Sequence, residues 1–399
     1  MNRSTKAFIY KDNIKYNLEQ IKKYVNPDVK ICLSVKADAY GHNAVLTAKI
    51  AESLSYDYLA VATVDEGIEL RNAGIKTKIL LLSLCTPEEM AELFKYEITP
   101  FVFSEEYISC LINASDTYFS ADDGDNDAGD NDDKNCGKKF DVFLAVDTGM
   151  GRIGAYPEEA GRQAQIITNS KHLKLAGMCT HLAVSDSISD ENQKYTDDQF
   201  KLFMLAVENV KKLGIDPGIC SCEASAGLLD RRNMQMNMVR PGIIAYGYYP
   251  DEVTKKYLNS KGFDIDLKPC LSLETKVVAI RRFEKGKSVS YGRTWKADKE
   301  TDIAVLPIGY ADGLLRRFSP GLQVTINGKN YPVVGRICMD QCMVDIGKNN
   351  PDVKLWDKVV IFGPEESGAL NTADDLAKIG KTISYEVLTS IKRVEKVIR

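Results

Sequence analysis

The residue best placed to begin chemistry is Lys36, which follows the apolar run VKICLSV and opens the stretch KADAYGHN. A lysine at a strand end is ordinarily a solvated terminus, but partial burial lowers an amine's pKa and makes it nucleophilic toward an aldehyde. Tyr40 and His42 follow it closely. Farther along, Asp147 and Arg152 come after the run FDVFLAV, His181 after LKLAGMCT, Ser225 within GICSCEAS, and Arg240, Pro241 and Gly242 within MNMVRPGIIAYG. Ser225 offers a hydroxyl near a helix start, and Gly242 with Ile243 offers backbone N–H groups that no side chain at 242 obstructs. A serine before a helix is ordinarily an N-cap. Placed together, these donors suit a phosphate monoester. Arg152 and Arg240 each stand near a glycine, where a carboxylate, a phenolate or a ring nitrogen can approach. His181 is ordinarily a hydrogen-bonded core histidine, and a base only in such company.

Side chains so far apart in sequence need a frame that brings loop ends together. From about Val29 to Gly247, short β-rich runs alternate with longer helical patterns, the signature of βα units around a parallel sheet. Eight such runs close a (β/α)8 TIM barrel, and in that fold the chemistry sits at the C-terminal ends of the strands, where every candidate above falls. The expected architecture is α/β: a barrel over residues 10–250 followed by a mostly β domain over 265–399, with a linker between. NGKN marks a hairpin turn in the second domain, and TADDLAKIG begins a capped amphipathic helix. Between the fourth and fifth strands, near 119–138, an acidic insertion rich in Asp, Gly and Asn has almost nothing to bury and is expected to be a disordered surface loop. It lacks the glycine and glutamate spacing of a calcium loop.

Composition narrows the classes. With 52 basic and 56 acidic residues the net charge is −4, too weak a field to draw phosphate backbones, so no nucleic acid is expected. No apolar stretch is long enough to span a bilayer. The start has no apolar core with a small-residue cleavage site, so a cytoplasmic chain with reduced thiols is expected from the 10 cysteines. Neither cysteine nor histidine spacing suggests a metal.

Taken in order, these residues resemble the alanine racemase family of fold-type III pyridoxal-phosphate enzymes, over nearly the whole chain. The most specific piece is VKADAYGHN. Others are DTGMGRIG at 147–154, VRPGIIAYG at 239–247, SVSYGRTW at 288–295, GYADG at 309–313, GRICMDQ at 335–341 and SYEVLTSI at 384–391. The resemblance implies pyridoxal 5′-phosphate on Lys36 as a Schiff base, with Tyr40, Ser225, Gly242, Ile243 and Tyr385 around its phosphate. It places Arg152 on the phenolic oxygen and the substrate carboxylate, and Arg240 on the ring nitrogen with His181 supporting it. Met339 then contacts the substrate carboxylate, Tyr310 and Tyr385 narrow the entrance, and Asp340 joins Met339 at the substrate. Lys36 and Tyr291 become the two proton-transfer groups for a small amino acid. Because Tyr291, Met339 and Asp340 come from a partner subunit in the family, a head-to-tail homodimer with shared active sites is implied, supplying D-alanine for a cell wall.

Some positions depart from the family pattern. A lysine, often carbamylated, that commonly precedes the DTGMGR motif is Ala145 here, and SCEAS lacks the more usual His and Asn before the serine. Alternative readings are a serine or broad-specificity racemase of the same fold, a non-catalytic cofactor-binding protein, and a decarboxylase. The SVSYGRTW and GRICMDQ motifs argue against the second, and Tyr291 against the third.

Overall fold

Parallel strands covered on both faces read as largely apolar runs rather than alternating ones, and the runs picked out above do so past their first residues. The computed structural model describes residues 3–122 and 139–399. Eight strands, Lys30–Ser34, Tyr58–Val61, Lys78–Leu81, Ile98–Val102, Phe140–Ala145, Leu173–Cys179, Ile219–Ser221 and Met238–Val239, pair in parallel, each with the next in the chain through the seventh. The eighth returns to the first, with Lys30 opposite Met238 and Ile31 opposite Val239. Between the seventh and eighth no ladder forms; the Asn237 N–H meets the Cys220 carbonyl at 3.2 Å, the Cys220 N–H meets the Asn237 side-chain oxygen at 3.0 Å, and the Arg240 N–H meets the Glu223 carbonyl at 2.9 Å. The barrel is therefore nearly closed.

Its interior is filled by side chains including Cys32, Leu80, Phe143 and Met238. Gly177 makes room for one of them: a Cβ there would lie 2.3 Å from the Phe143 ring. The last apolar run, MNMVRPGIIAYG, is strand only over Met238–Val239, because Pro241 has no N–H to give to a ladder, and Ile243–Tyr246 form a 3-10 turn.

The second domain is built on nine strands in the order Ala279–Phe283, Thr301–Leu306, Cys342–Asp345, Lys329–Val334, Gln323–Ile326, Lys358–Phe362, Leu271–Lys276, Lys6–Ile9 and Glu395–Ile398. NGKN forms the expected hairpin, with Asn327 at φ 48° and Gly328 at φ 77° in the two-residue turn. Thr372 and Asp375 form the capping box of the helix Ala373–Gly380. The amino-terminal strand was not expected here: Lys6–Ile9 lies antiparallel to Leu271–Lys276 and parallel to Glu395–Ile398. The linker is not featureless either, since it holds the helix Lys255–Ser260 capped by Thr254.

The acidic insertion begins later than 119. The helix Glu105–Asp122 runs through its first residues, and Phe119 packs against Phe94 and His172 with ring centroids 5.5 and 5.2 Å away. The rest of that stretch lies outside the described residues. Among those described, no helix is long and apolar enough to cross a membrane.

Candidate active site

The chain leaves the first barrel strand at Ser34, and Lys36 stands just before a backbone conformation that L-residues avoid. Ala37, Asp38, Ala39 and Tyr40 have φ of 52°, 53°, 53° and 54°, a left-handed turn containing no glycine or asparagine. Each such residue costs about 1–2 kcal/mol, so tertiary contacts must hold the turn. Glu66 accepts the N–H groups of Ala37 and Ala62, both at 2.7 Å. Nδ1 of buried His42 lies 3.1 Å from the Ala39 carbonyl and 2.9 Å from that of Tyr40, so it carries the ring proton and donates. Asp38 accepts the Ala44 N–H at 2.8 Å and pairs with Lys396.

The turn fixes two side chains. Tyr40 is buried with its ring centroid 4.8 Å from that of Tyr246 and 5.9 Å from that of Tyr385. The amine of Lys36 faces a cavity of about 620 Å³. Burial, Arg152 and Arg240 hold its pKa below the usual lysine value against the opposing pull of Glu66. A neutral amine is the nucleophilic form.

In the same cavity the Gly242 N–H donates to the Ser225 hydroxyl at 2.9 Å, and a Cβ on Gly242 would lie only 2.7 Å from the Tyr40 hydroxyl. Gly242 is thus needed for close approach. Ser225 opens the helix Ser225–Asp230, with Ala224 rather than Ser225 at its N-cap. The hydroxyls of Tyr40, Ser225 and Tyr385 and the backbone at 242–243 are neutral donors lining one cavity, a donor set that fits a phosphate ester.

Arg240 is held from behind. Its guanidinium donates to the Thr180 carbonyl at 2.6 Å, to the Cys222 carbonyl at 3.5 Å and to the Ser221 hydroxyl. No direct hydrogen bond joins the His181 ring to Arg240, although Arg240 is the foremost charge acting on that ring. Ser221 reaches the guanidinium because it ends the seventh strand, beside the strand that leads to Arg240. Burial, then Arg240, Arg152 and Lys36, pull the His181 pKa down to about 3, so at neutral pH it is an uncharged wall of the cavity. Arg152 rides on an exposed loop shaped by Asp147, which accepts the Gly149 and Gly151 N–H groups at 2.9 and 3.1 Å. Ala145 lines the cavity nearby and offers no charge, and among the described residues no side chain hydrogen-bonds Arg152.

Lys36, Tyr40, Arg152, His181, Ser225, Arg240, Gly242, Ile243 and Tyr385 all line this cavity. Tyr291, Tyr310, Met339 and Asp340 do not. They lie together on the second domain, where the Tyr310 N–H meets the Cys338 carbonyl at 3.0 Å, the Ala311 N–H meets the Met339 carbonyl at 3.0 Å, and Ser290 donates to the Arg336 carbonyl at 2.5 Å. Tyr291 is 67% exposed and Met339 51%, so among the described residues nothing covers this face. Asp340 is bound to Arg393 at 2.6 Å.

Sequence reading missed Glu66, Ser221 and Tyr246, whose contacts are with distant strands. It also passed over Glu223, although a lone charge in the otherwise uncharged run GICSCEASAGLL was a visible signal. Glu223 is fully buried, and among the described residues neither carboxyl oxygen has a hydrogen-bond partner.

Comparison with known proteins agrees with this geometry. Residues 9–250 match the family model of the alanine racemase N-terminal domain, and 270–398 that of the C-terminal domain. An alanine racemase of Treponema denticola is 48% identical over 99% of this chain and 98% of its own length. One of Treponema pallidum is 41% identical over 98% of each. Among solved structures, the alanine racemase of Clostridium difficile superposes with a TM-score of 0.86 at 37% identity, covering 100% of this chain and 96% of that one. That of Bacillus anthracis with bound L-Ala-P gives a TM-score of 0.86 at 32% identity over 100% and 96%. Sequence matches in both halves and a shared fold along the full length lead to one conclusion: the chain belongs to the alanine racemase family.

Proposed function

We propose that the chain interconverts L- and D-alanine with pyridoxal 5′-phosphate, and that its working form is a homodimer in which a second copy completes each cavity. The observation that carries this reading is the presence, in one cavity, of a buried amine of lowered pKa, a set of neutral phosphate donors and two guanidiniums. When bound, the cofactor makes the hydrogen on the α-carbon of an attached amino acid acidic by spreading the resulting charge into its ring. Everything else falls to the chain's own residues.

Lys36 holds the cofactor and moves a proton at one face of the substrate α-carbon, as a group with its pKa drawn toward working pH does best. Tyr291 of a second copy moves the proton at the opposite face. Its exposure in the single chain, together with that of Met339, supports a face meant to be covered by another copy. Arg152 pairs with the substrate carboxylate, while Tyr40, Ser225, Tyr385 and the backbone of Gly242 and Ile243 hold the phosphate. Arg240 is fixed by Ser221 and two carbonyls, and a guanidinium does not readily hand a proton to a ring nitrogen. It therefore limits how far charge spreads into the ring and favours return of the proton over side reactions. Tyr385, together with Tyr310 of the second copy, restricts the opening to a small side chain. The setting is cytoplasmic, with D-alanine passed to cell-wall synthesis.

The test is racemisation by the purified chain with added cofactor, using L-alanine and L-serine in parallel. Alanine is expected to turn over faster; preference for serine would shift the reading to a broad-specificity racemase. Lys36→Ala should lose both activity and the visible absorbance of lysine-bound cofactor, while Tyr291→Phe keeps cofactor and is slow from L to D. Mixing the two variants should restore activity, because a mixed dimer has one cavity with both groups intact. A mixture that stays inactive under conditions of subunit exchange refutes the shared site.

A further inference from the structure

The left-handed turn behind Lys36 is held by the other domain. Asp38, near its middle, spends one oxygen on the Ala44 N–H at 2.8 Å and the other on Lys396, 358 residues away in the final strand. That strand is itself locked in place, with Lys396 opposite Ala7 in the ladder that joins the chain's two ends. The same domain meets the turn again where it ends. The Leu388 carbonyl, in the helix Ser384–Thr389 that carries Tyr385, stands 2.7 Å from where a Cβ on Gly41 would lie. Gly41, at φ 86°, permits this approach. His42 braces the turn from its own side, with Nδ1 on two of its carbonyls and its ring 4.7 Å from that of Tyr246.

We propose that Lys396 is a positioning residue for the reaction: through Asp38 it keeps the turn after Lys36 left-handed, so that the second domain sets where the amine stands in the barrel's cavity. The proposal rests on the reading of Lys36 as the cofactor lysine. Position, more than stability, is at stake. The pair is partly open to solvent, with 21% of the Lys396 side chain and 46% of the Asp38 side chain exposed, and such ion pairs add little to global stability. A turn of four unfavourable residues is different, because it relaxes once a brace is removed, and a reacting group misplaced by an ångström loses much of its rate.

The test compares Lys396→Met with Lys396→Arg in the cofactor-loaded enzyme. In the methionine variant kcat should fall about tenfold or more, with KM for alanine changed by less than about threefold. Amide hydrogen exchange at Ala39, His42 and Ala44 should accelerate about tenfold, with little change elsewhere or in the thermal midpoint. Arginine, which keeps the charge and the reach, should restore both. The proposal is overturned if exchange at those amides is unchanged in the methionine variant, or if exchange rises through both domains with a lower midpoint that arginine does not rescue. If the parent enzyme shows no absorbance from lysine-bound cofactor, the reading of Lys36 fails instead, and the exchange measurement still decides the role of Lys396.

Discussion

Glu223→Gln is the substitution whose effect on stability is worked most directly from the structure. The carboxyl is fully buried without a hydrogen-bond partner, and burial raises its pKa from 4.5 to about 8 against the lowering influence of Arg240 and Arg231. Below pH 4.5 the group is neutral in folded and unfolded chains alike and adds no pH dependence. Between 4.5 and 8 the folded chain keeps a proton that the unfolded chain releases, so stability falls as pH rises, by about 1.4 kcal/mol per unit. At pH 7.5 the accumulated penalty is about 4 kcal/mol. Glutamine keeps the size and the neutral state and removes the titration. Urea unfolding followed by circular dichroism should therefore find the two chains similar near pH 4.5 and the variant more stable by about 2–4 kcal/mol at pH 7.5. If the difference is the same at both pH values, or glutamine is the less stable at 7.5, then Glu223 is ionised in the folded chain and the reasoning fails.

Three further outcomes are expected. Ser225→Ala removes a proposed phosphate donor and the acceptor of the Gly242 N–H; hydrogen bonds to charged groups contribute about 1.5–3 kcal/mol, so the Kd for pyridoxal 5′-phosphate should rise roughly ten- to a hundredfold in a fluorescence titration. An unchanged Kd would put the phosphate elsewhere. Gly242→Ala drives a methyl to 2.7 Å from the Tyr40 hydroxyl, whose ring is wedged between Tyr246 and Tyr385, and such overpacking costs about 1–3 kcal/mol. The thermal midpoint and cofactor content should drop and Tyr40→Phe should recover part of the midpoint, whereas a Gly242→Ala chain with parental values contradicts the close approach. Burial also lowers the His42 pKa from 6.5 to about 4, so over that window the unfolded chain takes up a proton the folded one refuses, and stability is lost as pH falls, by about 1.4 kcal/mol per unit. His42→Asn should flatten that acid slope in urea midpoints measured at pH 6.5 and 5; equal slopes would mean His42 titrates normally.

Much of the barrel was legible because strands buried on both faces leave largely apolar runs, and VKICLSV, FDVFLAV and LKLAGMCT, charged only near their starts, each became one. The positions just beyond those runs were legible for the same reason, which is how Lys36, Arg152, His181 and Ser225 could be singled out. The left-handed turn was not. Its residues are Ala, Asp, Ala and Tyr, of which only Asp favours positive φ and then singly, and the groups that enforce it, Glu66, His42 and Lys396, come from three parts of the chain. The part of Ser221 in holding Arg240 was not legible, because a short serine hydroxyl one strand away reaches the guanidinium only once the two strands lie side by side. The strand Lys6–Ile9 was missed since a short edge segment gains its identity only from the two distant strands it joins.

Local pattern and residue type were enough to establish an alternating barrel, a β-rich second domain, and which side chains have the chemistry to hold an aldehyde, a phosphate and a carboxylate. Those properties are local: periodicity, glycine placement and the intrinsic reactivity of an amine. Only the folded chain settled that nine of the candidates share one cavity while Tyr291, Tyr310, Met339 and Asp340 gather on a separate exposed face, and that the strained turn behind Lys36 is held from the opposite end of the sequence. Contacts of that span have no local signature, because each half is an ordinary residue until closure of the chain sets it against its partner.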